Sequence, residues 1–333
     1  MPLRMREGWE PPYPLIKAKF DDRVSRVCIV LIGVQSRNEK AVLPEKSLFG
    51  TANGPVLVER ATFVDGLSYA NEFWIAYWTD AAQFEHWNRD SDMRRWLADP
   101  IRLAEGPGYW METLSIAIED FETIFGTENP AGVACAAEMV PNDRMHGYWG
   151  SMRDRIPSST SDSFVSPLGN RLVRSTPRET FNKRLRVKAP KNLCYIRSGQ
   201  DYSKCGIEQR KTYLDEIAPV LKDGMDYLRD NSEEAGCCSW RFATNIGPDG
   251  SRAERTFGLG LFLSMGNLED WSSTHRTHLV IFSRWQQMYR KYDFVLELQT
   301  WHEVGILRDQ GDFEYINCHP QTGLLPFFQA EEY

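Results

Sequence analysis

Side chains suited to chemistry stand out in this chain where two similar halves of its sequence differ. An offset of 184 residues aligns the halves around a shared Glu-x-Trp string and sets Arg94 opposite His278. A second match, offset by 191 residues around a shared Trp-x-Glu string, sets Met111 opposite His302. If one scaffold was built twice, positions that depart from the repeat are where a function was added. Both histidines are therefore candidates for chemistry.

His278 lies three residues after His275, at the start of an apolar helical run. The two histidines would share one helical face. No third ligand is spaced nearby, so a zinc site is weakly supported. A single neutral imidazole at the edge of an apolar pocket instead fits axial ligation of a haem iron. The alternative is that His278 is a hydrogen-bonded core or surface residue that binds no metal. Taken alone, these residues favour this alternative.

His302 lies in a strand pattern that runs from Thr300 to Leu307, and it shares one strand face with Val304. An imidazole that projects from this face into a cavity could act as a general acid or base near neutral pH. The alternative, again favoured by the pattern alone, is a half-buried sheet histidine bonded to a neighbour.

Three polar residues are weaker candidates for the same site. Arg155 has a side chain that is usually solvated, and Ser198 precedes a glycine, as in many turns, without the Gly-x-Ser-x-Gly pattern of a nucleophile. Glu122 could support a catalytic residue, although a solvent-facing charge at a strand end is the simpler interpretation. His319 is predicted to be a turn residue, and His146 gives no specific signal.

Composition limits the class of protein. The net charge of −7 argues against a general nucleic-acid or anionic-membrane surface, because phosphate groups bind clustered lysine and arginine. No segment approaches the ~18 apolar residues of a membrane span, and the N-terminus lacks a signal-peptide core, so a cytoplasmic protein is expected. The seven cysteines are scattered without a Cys-x-x-Cys pair, which supports neither a disulfide framework nor a zinc site.

Each half is predicted to alternate strands and helices. Four apolar runs predict strands: 27–34, 73–78, 192–200 and 257–263. Asp80 and Ser264 are suitable N-caps for the helices that follow two of them. Residues 208–229 have helical periodicity, with bends expected at Pro219 and Gly224. The order strand, helix, strand, helix, strand indicates an α+β fold of two ferredoxin-like halves, whose sheets could pack face to face.

A long segment, Gly126 to Pro190, separates the halves and is rich in proline, serine, asparagine and arginine. Long irregular segments within a compact protein are commonly functional or disordered. The part from His146 to Arg155 is aromatic and basic, so we expect it to be ordered and to lie over a cavity. The predicted divisions of this single compact unit are an N-terminal arm (1–20), a first half (21–130), a connecting segment (131–190), a second half (191–325) and a C-terminal tail (326–333).

Several strings together make the chain resemble the haem-containing aldoxime dehydratases. They occur in the same order as in that family, between about residues 70 and 325. The strings are His146-Gly-Tyr-Trp-Gly-Ser-Met-Arg-Asp-Arg155, Ile196-Arg-Ser-Gly-Gln-Asp201, Leu214-Asp-Glu-Ile217, Gly224-Met-Asp-Tyr-Leu-Arg-Asp230, Leu268-Glu-Asp-Trp271, Thr277-His-Leu279, His302-Glu-Val304 and Phe313-Glu-Tyr-Ile-Asn-Cys-His-Pro-Gln-Thr-Gly323. A set of this length in one order is highly specific.

The resemblance implies a haem b enzyme of the dimeric α+β barrel type, with halves related by a pseudo-twofold repeat, that dehydrates aldoximes, R–CH=N–OH, to nitriles and water. It makes His278, in the second half, the axial ligand of a haem iron that is ferrous when active and binds the oxime nitrogen. His302 would be the distal general acid, with Ser198 and Arg155 holding the oxime hydroxyl and Glu122 assisting. An aryl or alkyl aldoxime substrate, a homodimer and a downstream nitrile-consuming enzyme follow from the same resemblance.

Three features depart from the family pattern. The N-terminal arm is short, Tyr202 stands where tryptophan is common, and Arg276 stands where proline often precedes the Thr-His pair. The first could alter the mouth of the pocket or the dimer contacts, whereas the other two leave the ligand and acid assignments intact. The alternatives are a peroxidase-like or oxygen-activating haem enzyme of the same barrel class, a non-catalytic haem carrier or sensor, and a cofactor-free assembly module.

Overall fold

Apolar, β-branched runs form an extensive sheet in the computed structural model, which describes residues 3–37, 42–50 and 52–333. Its strands are β1 (Ile16–Lys19), β2 (Arg26–Ser36), β3 (Leu57–Val64), β4 (Ala70–Trp78), β5 (Gly108–Ala117), β6 (Phe121–Phe125), β7 (Glu138–Pro141), β8 (Arg184–Val187), β9 (Leu193–Asp201), β10 (Cys237–Ile246), β11 (Arg252–Phe262), β12 (Gln299–Leu307), β13 (Asp312–Ile316) and β14 (Ala330–Glu332). The described pairings are antiparallel and connect the strands in the order β14-β8-β13-β5-β2-β4-β3-β10-β11-β9-β12-β6-β1-β7.

The helices lie in the connections between these strands. They are α1 (Ala81–Asp90), α2 (Asp92–Ala98), α3 (Ile101–Ala104), α4 (Ser151–Asp154), α5 (Ile207–Thr212), α6 (Ala218–Asp230), α7 (Ser232–Ala235), α8 (Met265–Thr274) and α9 (Arg276–Lys291). The predicted caps are confirmed, because Asp80 Oδ1 accepts from the Gln83 N–H at 3.0 Å and Ser264 Oγ from the Asn267 N–H at 3.3 Å. No helix in the described ranges is long and apolar enough to cross a membrane.

The two halves use the same strand order. Across the sheet the order is β5-β2-β4-β3 in the first half and β12-β9-β11-β10 in the second. In both, the first strand of the half lies between its last and its third. Strands β3 and β10 pair through Thr62 and Thr244 and join the halves into one sheet. The predicted α+β class, a mixture of helices and sheet, is confirmed.

One face of the sheet encloses a core that both halves share. Leu31 and Phe73 of the first half pack there with Tyr195 and Leu259 of the second, each at most 2% exposed. Burying such a side chain contributes roughly 1.5–3 kcal/mol. The other face carries separate apolar clusters beneath the helices of each half. Alternate residues of one strand therefore point either into the shared core or toward the helices.

The helical region predicted over 208–229 is interrupted at one of the two expected positions. A π-helical turn, Tyr213–Ile217, precedes Pro219 and separates α5 from α6. Gly224 lies inside the continuous helix α6, so the helix is not interrupted there. A Cβ atom at Gly224 would come 2.6 Å from Ile281 Cδ1 of α9. This glycine therefore allows two helices to pack closely.

The connection between β2 and β3 differs from the helix expected for the first half. Its described part contains a 3₁₀ helix, Lys46–Phe49. The rest of this connection includes residues 38–41 and 51, which lie outside the described ranges. The helical layer of the first half is therefore built from α1, α2 and α3, which all follow β4.

The connecting segment is less irregular than its composition indicates. Two of its strands extend the sheet near opposite ends, since β7 pairs with β1 of the N-terminal arm and β8 pairs with β13 and β14. Strand β13, from the later part of the chain, also pairs with β5 of the first half. The divisions at residues 20, 130, 190 and 325 stay predictions about the sequence, and the sheet runs across all of them.

Candidate active site

Two neighbouring strands place Ser198 and His302 side by side. In the ladder between β9 and β12 these residues pair directly, on the face that the helices of the second half cover. The adjacent pair is Gly199 and Trp301, and a Cβ at Gly199 would lie 2.4 Å from the indole ring. A side chain at position 199 would displace the tryptophan, so this pairing of the two strands requires a glycine. The strand predicted to carry His302 and Val304 on one face is confirmed.

Glu122 reaches the same group from strand β6, which pairs with β12. Its Oε1 lies 2.8 Å from His302 Nε2. The Glu122 side chain is 1% exposed, so the solvent-facing charge favoured from the sequence is wrong. The cause is the strand order, because β6 lies between β12 and β1 and the carboxylate is covered by the connecting segment.

Arg155 follows the single turn of α4 and points back toward the sheet. Its Nε donates to Glu122 Oε2 at 2.7 Å, and its Nη2 lies 3.2 Å from Glu122 Oε1 and 3.1 Å from His302 Nε2. Its Nη1 donates to the Met145 carbonyl at 2.9 Å. The side chain is 6% exposed, whereas a solvated arginine was the default expectation. Paired, charge-assisted hydrogen bonds of this kind fix a guanidinium in one orientation.

The charges within this cluster favour an ionised Glu122. Burial raises the pKa of Glu122, but the positive charges of Arg155 and His302 and their hydrogen bonds outweigh it, so the pKa is lowered overall. One nitrogen, His302 Nε2, faces both partners. When unprotonated it can accept from Arg155, and when protonated it can donate to Glu122. The geometry therefore accommodates both forms of the imidazole, as a proton-transfer group requires.

His278 lies in the first turn of α9, beneath aromatic rings. Its ring packs edge-on against Trp271 at 4.8 Å and against Trp149 at 6.1 Å between centroids. Burial lowers the pKa of His278 to about 4, with a smaller opposing effect from the Ser272 backbone carbonyl. Its Nδ1 is buried and has no hydrogen-bond partner among the described residues. A neutral imidazole with an unsatisfied nitrogen has the chemistry of a metal ligand.

His275 has a different role from its neighbour in the sequence. It is the N-cap of α9, where its Nδ1 accepts from the Thr277 N–H at 3.4 Å, and its ring stacks on Tyr227 at 3.9 Å. It is therefore occupied by the protein itself. In the described ranges, no three or more histidine, cysteine, aspartate or glutamate residues are grouped to hold a metal ion. A single-histidine ligand to a haem iron remains consistent with this arrangement.

His278 and His302 are connected through one apolar cluster. Trp271, which packs against His278, lies in the cluster that also contains Ile196 and Val304, the neighbours of Ser198 and His302 on the same strand faces. Cavity size alone would place the active site in a different part of the molecule. A cavity of about 560 Å³ in the first half, lined in part by Trp96 and Tyr109, contains neither histidine. The site is therefore identified by its polar groups.

Two other histidines are more buried than the sequence indicates. His146 is 2% exposed, its Nδ1 has no hydrogen-bond partner in the part of the chain described, and burial followed by the charge of Arg155 lowers its pKa to about 4. Only its place in the His-Gly-Tyr-Trp-Gly string could have marked it. His319 does lie in a turn, as predicted, with the Thr322 N–H donating to its carbonyl at 3.0 Å. Its Nε2 also lies 2.9 Å from Asp65 Oδ2.

A buried neutral histidine, together with a second histidine bonded to an arginine and a carboxylate, is a set of groups that suits a haem enzyme. Comparison with known families agrees: residues 31–324 match the model of the haem-containing dehydratases, and the chain belongs to this family. The predicted family, the lyase class and haem as the cofactor are confirmed.

Individual relatives make the match more specific. The chain is 37% identical to phenylacetaldoxime dehydratase from Bacillus sp. (strain OxB-1), over 98% of this chain and 95% of that protein. It is 35% identical to aliphatic aldoxime dehydratase from Pseudomonas chlororaphis, over 97% and 93%. A crystal structure of aldoxime dehydratase superposes with a TM-score of 0.87 at 34% identity, covering 98% of this chain and 94% of that one. An aldoxime dehydratase in complex with butyraldoxime superposes equally well, at 32% identity over 98% and 92%.

Proposed function

We propose that the protein is a haem-dependent aldoxime dehydratase, which converts R–CH=N–OH to a nitrile and water. One observation carries the proposal: His302 Nε2 contacts both Glu122 and Arg155, and the buried imidazole of His278 packs on Trp271, which belongs to the apolar cluster on the same face of the sheet. The names of the relatives support the choice of reaction.

His278 would hold the iron of haem b. Its imidazole is neutral near pH 7 because burial lowers its pKa to about 4, and its Nδ1 is unpartnered within the described residues. When bound, the ferrous haem supplies an iron centre that takes the oxime nitrogen and donates electron density to the N–O bond. The Ser272 carbonyl, which raises the pKa of His278, would orient the ring by accepting a hydrogen bond from the imidazole N–H.

The distal residues would bind the oxime and move the protons. Arg155 and Ser198 would hold the oxime hydroxyl by hydrogen bonds; among the described residues, none bonds the Ser198 hydroxyl. His302, protonated, would donate its proton to the hydroxyl oxygen as N–O breaks, because hydroxide is a poor leaving group unless it is protonated. Glu122 would stabilise the imidazolium at 2.8 Å. The neutral imidazole would then take the proton from the aldoxime carbon, which yields the nitrile and restores the acid.

Aryl and alkyl aldoximes are the proposed substrates. Relatives are named for phenylacetaldoxime and for aliphatic aldoximes, and one solved relative contains butyraldoxime. A homodimer and a partner enzyme that consumes the nitrile are proposals drawn from the family resemblance, and a cytoplasmic location is a proposal drawn from the sequence. Sedimentation velocity of the haem-loaded protein tests the first of these.

We also infer that the two halves are copies of one ferredoxin-like unit related by a pseudo-twofold axis. The shared strand order supports this, as does a repeated register device. Gly33 pairs with Trp110 in the first half, and a Cβ at Gly33 would lie 2.2 Å from the indole. Gly199 pairs with Trp301 in the same way in the second half. Comparing the backbones of 21–130 and 191–325 in a crystal structure, with the relating rotation, would test the inference.

The decisive experiment is an anaerobic assay of the reduced, haem-loaded protein. Phenylacetaldoxime and butyraldoxime are supplied separately, and nitrile is measured by gas chromatography. We expect nitrile from at least one substrate with dithionite and much less without it. Peroxide-dependent oxidation of a dye is measured in parallel. Haem binding without nitrile formation would reject the proposal in favour of a carrier, and dye oxidation without nitrile would favour the peroxidase-like alternative.

A further inference from the structure

Three consecutive residues at the end of α4 contact three different parts of the molecule. Arg153 bonds the helix α8, Asp154 bonds the N-terminal arm, and Arg155 bonds Glu122 and His302 on the sheet. The helix itself is only four residues long, Ser151–Asp154. So short a helix has little stability of its own, and its orientation depends on these outside contacts.

Arg153 attaches this turn to the helix that precedes the proximal histidine. Its Nε lies 3.1 Å from both carboxylate oxygens of Glu269, and its Nη2 donates to Oε2 at 2.6 Å. Glu269 is two residues before Trp271, whose ring packs against His278. One side of the turn is therefore fixed with respect to the proximal region.

Asp154 attaches the turn to residues 3–13 of the N-terminal arm. The residue is 7% exposed. Its carboxylate accepts from the backbone N–H of Arg4 at 2.9 Å and of Met5 at 3.1 Å, and from the Tyr148 hydroxyl at 2.8 Å. A carboxylate this deeply buried needs donors, and two of the three are backbone groups of the arm.

Two glycines of the connecting segment allow the arm to lie directly on it. Gly150 has φ = 94°, and a Cβ there would come 2.4 Å from Arg4 Cδ. Gly147 has φ = 80°, and a Cβ there would come 2.8 Å from Pro12 Cδ. The indole of Trp9 also donates to the His146 carbonyl at 2.9 Å. The arm thus follows the segment over several residues.

We propose that residues 3–13 act as a strap that positions Arg155: by occupying Asp154, the strap holds the α4 turn so that the guanidinium of Arg155 faces Glu122 and His302. Asp154 is a positioning residue and touches no reacting atom. The expected effect on catalysis rests on the proposed function, in which Arg155 holds the oxime hydroxyl. The expected effect on the surroundings of His302 does not depend on the proposed function.

The test compares Asp154→Asn with the matched control Asp143→Asn. Asp143 lies in the same segment, but its side chain is 71% exposed and pairs with Lys17. Three quantities are measured on haem-loaded protein: haem content, kcat and KM for an aldoxime, and the infrared C–O stretch of carbon monoxide bound to the reduced protein. Arg155→Ala supplies the reference value for a distal site without the guanidinium.

We expect Asp154→Asn to keep its haem and to lose about 10- to 100-fold in kcat/KM, the size of effect that a misplacement of about 1 Å produces. Its C–O stretch should move toward that of Arg155→Ala, and hydrogen exchange should speed up at 3–13 and 144–156. Asp143→Asn should resemble the wild type. A purely structural role would lower the melting temperature without moving the C–O stretch or kcat/KM, and that result would overturn the strap.

The two proposals fail differently. If the wild type forms no nitrile, the proposed function fails, and the C–O stretch still tests the strap. If Asp154→Asn does not accumulate as folded protein, Met5→Pro removes one strap N–H donor to the same carboxylate, with Met5→Ala, which keeps that N–H, as its control. Met5→Pro should move the C–O stretch in the same direction by a smaller amount, and an unmoved stretch in that variant would also overturn the strap.

Discussion

Arg94 Nη1 lies 3.2 Å from Met111 Sδ, so the first-half counterparts of the two candidate histidines are in direct contact. Arg94 also donates to Glu314 Oε1 at 2.7 Å. Glu314 lies on the strand beside Met111, as Glu122 lies on the strand beside His302. An ion pair thus connects a helix and the sheet in the first half. In the second half, the helix carries His278 and the sheet carries His302. On the proposed repeat, the two halves share a strand order, and only the second has histidines at these two positions.

His278→Ala should abolish stable haem binding, because it removes the buried neutral imidazole that would hold the iron. The haem-to-protein ratio, from Soret absorption of protein loaded under identical conditions, measures this. His275→Ala is the control: it removes the N-cap of α9, at a cost of about 1 kcal/mol of stability, and should leave haem in place. A full and correctly ligated haem complement in His278→Ala would reject the proximal assignment.

His302→Ala should keep haem and lose turnover by about 10²- to 10⁴-fold, the range for removal of a general acid. The reason is that Arg155 and Glu122 remain but neither can supply the proton: one is a guanidinium and the other stays ionised, since its pKa is lowered. Single-turnover nitrile formation by the reduced variant measures the effect. A rate close to that of the wild type would remove His302 from the mechanism.

Ser198→Ala should leave the haem spectrum unchanged and weaken aldoxime binding or turnover about 3- to 10-fold, the value of one lost hydrogen bond. The serine pairs directly with His302 in the ladder, so its hydroxyl lies at the distal site. Ser203→Ala is a matched control, because Ser203 lies just beyond the same strand and its hydroxyl donates to Asp201 in a hydrogen bond that is exposed to solvent. Equal kinetics in both variants would exclude Ser198 from the site.

Local patterns predicted the strands and caps of the site well. Alternation predicted that His302 and Val304 share one face, and Asp80 and Ser264 do cap their helices. These features depend on a few neighbouring residues, which periodicity and capping preferences describe directly. The departures from the internal repeat also pointed to His278.

Other parts of the site depend on contacts between distant segments. Glu122 is buried only because β6 pairs with β12, some 180 positions later in the chain. Arg155 bonds Glu122 and His302, which lie 33 and 147 positions away in the chain. No short stretch of the sequence contains these contacts, and only the family resemblance brought Glu122 and Arg155 together before the structure did. The burial of His146 had no sequence signal beyond its place in such a string.

Glu122→Gln should destabilise the protein by about 3–5 kcal/mol near neutral pH, because Arg155 would keep a buried charge without its counter-ion. Urea unfolding of the haem-loaded protein measures the difference. Asp143→Asn removes an exposed carboxylate, and its effect should stay below about 1 kcal/mol. A loss as small as that of the control would mean that the Arg155 charge is satisfied by other groups.

The same variant tests whether Glu122 is ionised, through the pH dependence of the difference. Burial opposes ionisation, but Arg155 and His302 lower the pKa of Glu122 below its ordinary value of 4.5. A carboxylate whose folded pKa is lowered stabilises the protein fully above its ordinary pKa and loses that contribution as the pH falls through the folded value. The gap between wild type and Glu122→Gln should therefore be largest above pH 4.5 and shrink below it. A gap that stays constant would show that the pKa of Glu122 is not lowered, and a gap that widens on acidification would show that it is raised. In the second case His302 would lack the counter-ion that stabilises its acid form.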